Sequence, residues 1–217
     1  MFNLSRLLSP KTQQLAALDL GSNSFHLIIA DWEDGELKVR DKVKEMVRLG
    51  WGLQDDGSLD AAAWNRAQEC LDRFGERLRE FKPGSVRVVG TKTLRSIIDS
   101  NVFLQAAEQR LGHPVEVISG EEEARLIYLG VAHYMAPTNG PRMVIDIGGG
   151  STELIIGQNF TPKALESLHM GCVSMTRKHF QANANLASAF ARAIDDARIE
   201  LEPVTQTYLD RGWEHAI

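Results

Sequence analysis

The stretch VIDIGGGSTELIIG, Val144 to Gly157, sets three consecutive glycines between two apolar runs, with Asp146 just ahead of them. Apolar runs on either side of a glycine turn read as two strands joined by a hairpin. A plain hairpin needs one or two glycines, so three beside an Asp point to a loop with a further task. The stretch ALDLGSNSFHLIIA, Ala17 to Ala30, repeats the design. Placing Asp146 over Asp19 gives an offset of 146 − 19 = 127 residues. In that register Gly148 falls on Gly21, Ser151 on Ser24, and Leu154-Ile155-Ile156 on Leu27-Ile28-Ile29. The chain reads as an internal duplication.

Working outward, the first half predicts strands at Leu15–Leu20 and Phe25–Ala30, then a third run from Leu37 to Leu49 after the Asp34-Gly35 turn. From Asp60 the period becomes helical, with Ala63, Trp64, Ala67, Leu71, Phe74, Leu78 and Phe81 on one face. That helix stops before Pro83-Gly84. Strand Val86–Val89, helix Asn101–Leu111, strand Val115–Ile118 and helix Glu121–Tyr134 complete the unit.

The series then restarts with strands Met143–Ile147, Leu154–Ile156 and Ala164–His169, followed by helices. A long final helix, Leu186–Leu209, is expected to break or bend near Pro203. Arg211-Gly212 turns into a strand, Trp213–Ile217, with no partner elements after it. The order predicts an α/β protein with mixed sheets: a tail at 1–11, a first lobe at 12–124 and a second lobe at 125–217 that lacks a full set of strands. The remaining tryptophans and the methionines are expected to pack.

The 217 residues, 43% hydrophobic, suffice for a sizeable core. A formal charge of −5 excludes a general nucleic-acid or membrane surface, so an anionic ligand must be held by local donors or a cation. Cys70 and Cys172 make neither a disulfide framework nor a zinc pattern. The opening MFNLSRLLSPK has no apolar core of signal-peptide length. A cytoplasmic protein is expected.

Two familiar phosphate motifs fail. No G-x-x-x-x-G-K-[ST] is present, and six positions along from Gly148 stands Glu153 where a dinucleotide fingerprint needs glycine. What remains is a strand–loop–strand in which Gly148, Gly149 and Gly150 free the backbone so that N–H groups converge on an anion. Ser151 and Thr152 add hydroxyls. Gly21, Ser22, Asn23 and Ser24 form the matching phosphate loop. Asp146 and Glu153 flank the second loop, a pair suited to Mg2+, which takes one or two carboxylates with water and substrate phosphate. In the first hairpin His26 stands where Glu153 would, and reads as a hydrogen-bonded structural histidine.

Three acids follow Ser119 in SGEEEARLIYLG. With Ser119 as N-cap, Glu122 completes a capping box. Glu121 is solvated near the positive helix end. Glu123 shares a face with Ile127 and Gly130, so partial burial would raise its pKa toward that of a working base. A merely favourable acidic helix start fits the triplet equally well. GTKTLR puts Thr91 and Arg95 at a helix entry, an anion site, with Lys92 at the surface. Lys44 and Arg48 line either a polyanion route or a solvated face.

Taken together, DLGSNSFH, GTKTLR, SGEEEARLIYLG, DIGGGSTEL and MGCVS resemble the exopolyphosphatase and guanosine pentaphosphate phosphohydrolase family, within the actin, sugar kinase and chaperone ATPase superfamily. The resemblance implies two ribonuclease-H-like lobes facing across a cleft, the second incomplete here, and a homodimer in the full-length protein. It implies hydrolysis of a terminal phosphoanhydride of polyphosphate or guanosine pentaphosphate, with magnesium, and aligns the catalytic glutamate with Glu123. The alternatives are an ATP-binding kinase or ATPase of the same superfamily, or a non-catalytic sensor of guanosine alarmones or polyphosphate.

Overall fold

The computed structural model describes residues 12–180 and 185–217; the expected tail at 1–11 lies outside them. The first hairpin is β1 (Gln13–Leu20) and β2 (Phe25–Glu33), followed by β3 (Glu36–Glu45). Asp34 and Gly35, both at positive φ, make the two-residue turn between β2 and β3, a conformation that favours this Asp-Gly pair. The third run is shorter than its apolar pattern predicts. It ends at Glu45 and gives way to a four-residue helix, α1 (Leu49–Gly52).

Next comes α2 (Ala61–Leu78), capped by the Asp60 carboxylate, which accepts from the Ala63 N–H. Ala63, Ala67, Leu71, Phe74 and Leu78 are buried, as the period predicts. β4 (Val86–Gly90), α3 (Lys92–Ser96), α4 (Ser100–Leu111) and β5 (Val115–Val117) follow. These strands form one sheet in the order β3-β2-β1-β4-β5, antiparallel through β1–β2–β3 and parallel from β1 to β4 and β5. Its core packs Leu18, Leu20, Leu27 and Val88 against the apolar faces of α2 and α4. A Cβ at Gly75 of α2 would collide with the Arg110 carbonyl of α4. Gly75→Ala is therefore expected to cost about 1–3 kcal/mol, read as a lower urea midpoint at unchanged slope.

The second half repeats this plan. Helix α5 (Gly120–Tyr134) is followed by β6 (Arg142–Ile147), β7 (Thr152–Gln158), β8 (Thr161–Leu168), α6 (Cys172–His179), α7 (Leu186–Arg211) and β9 (His215–Ala216). The sheet order β8-β7-β6-β9 copies β3-β2-β1-β4, with β9 parallel to β6. The terminal strand pairs with an earlier one, Met143 of β6 standing opposite Ala216. The predicted offset extends to irregularities. The ladder slips between Ile156 and Gly157 in one half and between Ile29 and Ala30 in the other, and 156 − 29 = 127.

β7 is buried on both faces. Leu154 and Ile156 meet Tyr208 of α7, while Ile155 meets Ala124 and Tyr128 of α5. Helix α7 runs on through Pro203 without the break that was one of the two outcomes expected there. Helix α5 begins at Gly120, spans the 124/125 point and packs on β7 and β8. Packing claims only Trp64 among the tryptophans, edge-on to Phe103; Trp32, Trp51 and Trp213 are 42%, 44% and 39% exposed. Among the described residues, no helix is long and apolar enough to cross a membrane.

Candidate active site

The glycine loops, β1–β2 and β6–β7, meet at the seam between the two sheets. A Cβ on Gly149 would lie 3.1 Å from the Ser22 Cβ and 3.3 Å from the Asn23 N. One on Gly150 would lie 2.9 Å from the Lys92 Cγ and 3.0 Å from the Ser22 Oγ. None of Gly21, Gly148, Gly149 and Gly150 has a left-handed backbone. The glycines therefore serve close approach rather than the conformational freedom expected from the sequence.

Each loop is tied from behind by the amides of a following helix. Gly50 N–H donates to Ser22 O at 2.7 Å, and Arg48 N–H to Asn23 O at 2.8 Å. In the second half Cys172 N–H donates to Gly148 O at 2.9 Å, and Val173 N–H to Gly149 O at 2.8 Å. The loop carbonyls are satisfied on the rear side.

The loops enclose a cavity of about 290 Å³. Gly21, Ser22, Asn23, Ser24, Thr91, Gly148, Gly149, Gly150 and Ser151 line it together with Glu123, Asp146 and Glu153. Two expected residues are placed otherwise. Thr152 donates its hydroxyl to the Met170 carbonyl at 2.7 Å and does not line the cavity. Arg95 sits behind Glu123, donating to its Oε2 at 3.0 Å and to the Ile118 carbonyl at 2.8 Å. It is a partner of the carboxylate rather than an open anion clamp, and its helix α3 is only five residues long.

Lys92, expected at the surface, makes an exposed contact across the lobes, with Nζ 3.0 Å from His169 Nδ1. Burial and Arg95 lower its pKa. His26 is the structural histidine expected, 2.7 Å from Ser24 Oγ, its pKa lowered by burial and by Lys44. Lys44 lines the cavity.

Among the three acids, Ser119 caps α5 by accepting from Glu122 N–H at 3.1 Å. The reciprocal half of the capping box is replaced, since the Glu122 carboxylate takes both nitrogens of a fork from Arg125. Glu121 is exposed. Glu123 alone of the three lines the cavity. Burial raises its pKa, opposed by Arg95.

Carboxylates crowd this space. Burial and then the Glu123 charge push Glu153, 1% exposed, up to about 7, while its Oε1 accepts from Ser167 at 2.8 Å. Asp146, opposite Glu153 in the hairpin, is raised by burial. Asp19 was not singled out from the sequence, yet it lines the cavity and is raised to about 6 by burial and then by Asp146. Its Oδ1 is buried with no hydrogen-bond partner. The signal was available: the duplication that defined the register rests on Asp146 and Asp19. An orphaned buried carboxylate oxygen beside Asp146 and Glu153 fits a divalent cation. Among the described residues no three acidic, histidine or cysteine side chains are grouped to hold one.

The sign of the Asp19 shift gives a prediction. A folded pKa raised from 3.8 to about 6 means that its contribution to stability is full below about pH 4 and is lost as pH rises through about 6. Asp19→Asn cannot ionise, so in chelator it is expected to exceed the parent by on the order of 2–3 kcal/mol near pH 8, with no gain near pH 4. Urea unfolding at the two pH values checks this; equal stability near pH 8 refutes it.

The Ppx/GppA phosphatase family pattern matches residues 28–217. A relative from Vibrio atlanticus (strain LGP32), named guanosine-5'-triphosphate,3'-diphosphate pyrophosphatase, is 46% identical over 97% of this chain, which spans 42% of the relative's length. Among solved structures, an exopolyphosphatase from Cytophaga hutchinsonii superposes with a TM-score of 0.79 at 29% identity, over 90% of this chain and 64% of that one. The Aquifex aeolicus PPX-GPPA enzyme gives 0.71 at 30% identity, over 89% and 64%. With its duplicated ribonuclease-H-like halves, its paired loops and this match, the chain belongs to the Ppx/GppA phosphatase family.

Proposed function

We propose that the protein containing this chain is a phosphoanhydride hydrolase that releases terminal orthophosphate from guanosine pentaphosphate or inorganic polyphosphate. The observation that carries the reading is Glu123: a mostly buried carboxylate with raised pKa, held by Arg95, in the same cavity as both glycine loops. The printed name of the Vibrio relative supports the guanosine substrate.

The terminal phosphate enters between the loops, where Ser22, Ser24 and Ser151 offer hydroxyls and the loop backbone offers amides. Glu123 orients a water and takes its proton as the water oxygen bonds to the terminal phosphorus. The bridging P–O bond breaks, and its electrons leave with the shortened phosphate chain. Arg95 is a positioning residue: it fixes the carboxylate and holds down a pKa that burial raises. Mg2+, when held by Asp146 and Glu153 with Asp19 beside them, would neutralise charge on the phosphate oxygens.

The test is inorganic phosphate release by the full-length protein from guanosine pentaphosphate, polyphosphate and ATP, with magnesium and in chelator. Release from one of the first two, dependent on magnesium, is expected. Release from ATP alone would favour a kinase-like ATPase, and tight binding without release a sensor; either overturns the proposal.

A further inference from the structure

A second hollow of about 850 Å³ adjoins the phosphate cavity, sharing Asn23 and Cys172 with it. Its other walls include Arg48, Trp51, Arg66 and Met46, and no carboxylate lines it. In a chain of formal charge −5 this is an unusual surface. Among the described residues neither Arg48 nor Arg66 is ion-paired with a carboxylate. Arg66 is instead held by backbone, Nε donating to the Val47 carbonyl at 2.9 Å and Nη2 to the Arg48 carbonyl at 3.5 Å, and it lines the hollow. Trp51 and Met46 are 44% and 50% exposed, so this wall offers an aromatic face as well as cations.

These groups are rigidly tied to the first phosphate loop. Arg48 has a left-handed backbone, φ 55° and ψ 44°, a costly state for a side chain with a Cβ. Its N–H donates to the Asn23 carbonyl, and Gly50, beside Trp51, donates to the Ser22 carbonyl. The strained turn thus carries a guanidinium and an indole to the rim of the cavity that would hold phosphate.

A bare phosphate chain has use for the arginines but none for the indole. A purine nucleoside bearing a second anionic group uses both: its base stacks on Trp51, and its additional phosphates meet the guanidinium groups. We propose that Arg48, Trp51 and Arg66 form a nucleoside 3'-diphosphate subsite that selects guanosine polyphosphate over inorganic polyphosphate. This rests on the hydrolase reading above. The 5' phosphate chain would pass Asn23 into the glycine-loop cavity while the base and 3'-diphosphate stay outside.

The experiment compares Trp51→Ala and Arg48→Gly with the parent in the full-length protein. Arg48→Gly removes the guanidinium while suiting the left-handed backbone, so it does not threaten the fold. Steady-state kcat/KM is measured with guanosine pentaphosphate, GTP and tripolyphosphate. Trp51→Ala is expected to lower the ratio of guanosine pentaphosphate to tripolyphosphate about ten-fold or more, on the scale of one base–aromatic stack. Arg48→Gly is expected to lower the ratio of guanosine pentaphosphate to GTP, which lacks the 3'-diphosphate. Unchanged ratios in both variants overturn the subsite, as does an equal fall on all substrates, which would make the arginines part of a polyphosphate path. Should the parent release no phosphate at all, hydrolysis fails while the subsite is still judged by equilibrium binding of guanosine 3',5'-bisdiphosphate: weaker binding to both variants supports it, equal binding sinks it.

Discussion

Glu123→Gln in the full-length protein is expected to lower kcat for phosphate release by about 10²–10⁴-fold while leaving KM within a few-fold, the pattern of a lost general base with binding retained. The amide keeps the volume of the side chain and can still accept from Arg95, so the packing of α5 is undisturbed. The parent's pH profile supplies an independent reading. Burial raises the Glu123 pKa, so activity falls on acidification beginning above the ordinary carboxylate range, as the base becomes protonated. The residual activity of Glu123→Gln is expected to keep only the part of that fall that comes from protonation of Glu153 and Asp19, raised to about 7 and about 6. If the variant turns over like the parent, the water-activating role belongs to another of the clustered acids and the assignment fails.

The second large effect is expected at Gly171, where no chemistry takes place. A Cβ there would stand 2.6 Å from the Gly149 carbonyl oxygen and 2.7 Å from the Gly150 nitrogen. Those atoms are backbone, so the strain cannot be relieved by turning a side chain. Gly171 is also the N-cap of α6, whose first amides bind the Gly148 and Gly149 carbonyls. Gly171→Ala must therefore shift the glycine loop itself. A displacement near 1 Å is expected to reduce kcat/KM about 10²-fold, with a stability loss of about 1–3 kcal/mol. Gly130→Ala is the control, since its new methyl meets nothing within 4 Å. Equal activity of both variants would show that loop position is not limiting.

The duplication was legible because it is written in local pattern. Strand alternation, an Asp-Gly turn and the 127-residue offset all lie in contiguous stretches, and the structure repeats that offset in sheet order and in the position of the ladder slip. Residue roles that depend on distant neighbours were not legible. Arg95 faces Glu123, Thr93 donates to Ser22 across 71 positions, and Lys92 reaches His169 across 77. Helix-entry chemistry alone assigns such residues to anions or to solvent. Trp51 reads as packing because large aromatic residues generally pack, yet in the four-residue α1 it is 44% exposed. Asp19 is not legible for a different reason: His26 stands opposite it, where Glu153 faces Asp146 in the second hairpin, so its own hairpin shows no carboxylate pair.

At the seam the second half meets the first at Gly149 against the Asn23 backbone, and Gly149 is backed within its own half by Gly171. Such a joint has no adjustable spacer, because no rotamer is available there to take up an error. Mutational drift elsewhere in either half can be absorbed by neighbouring side chains, but a change in the spacing of this joint passes undamped to the reacting phosphate.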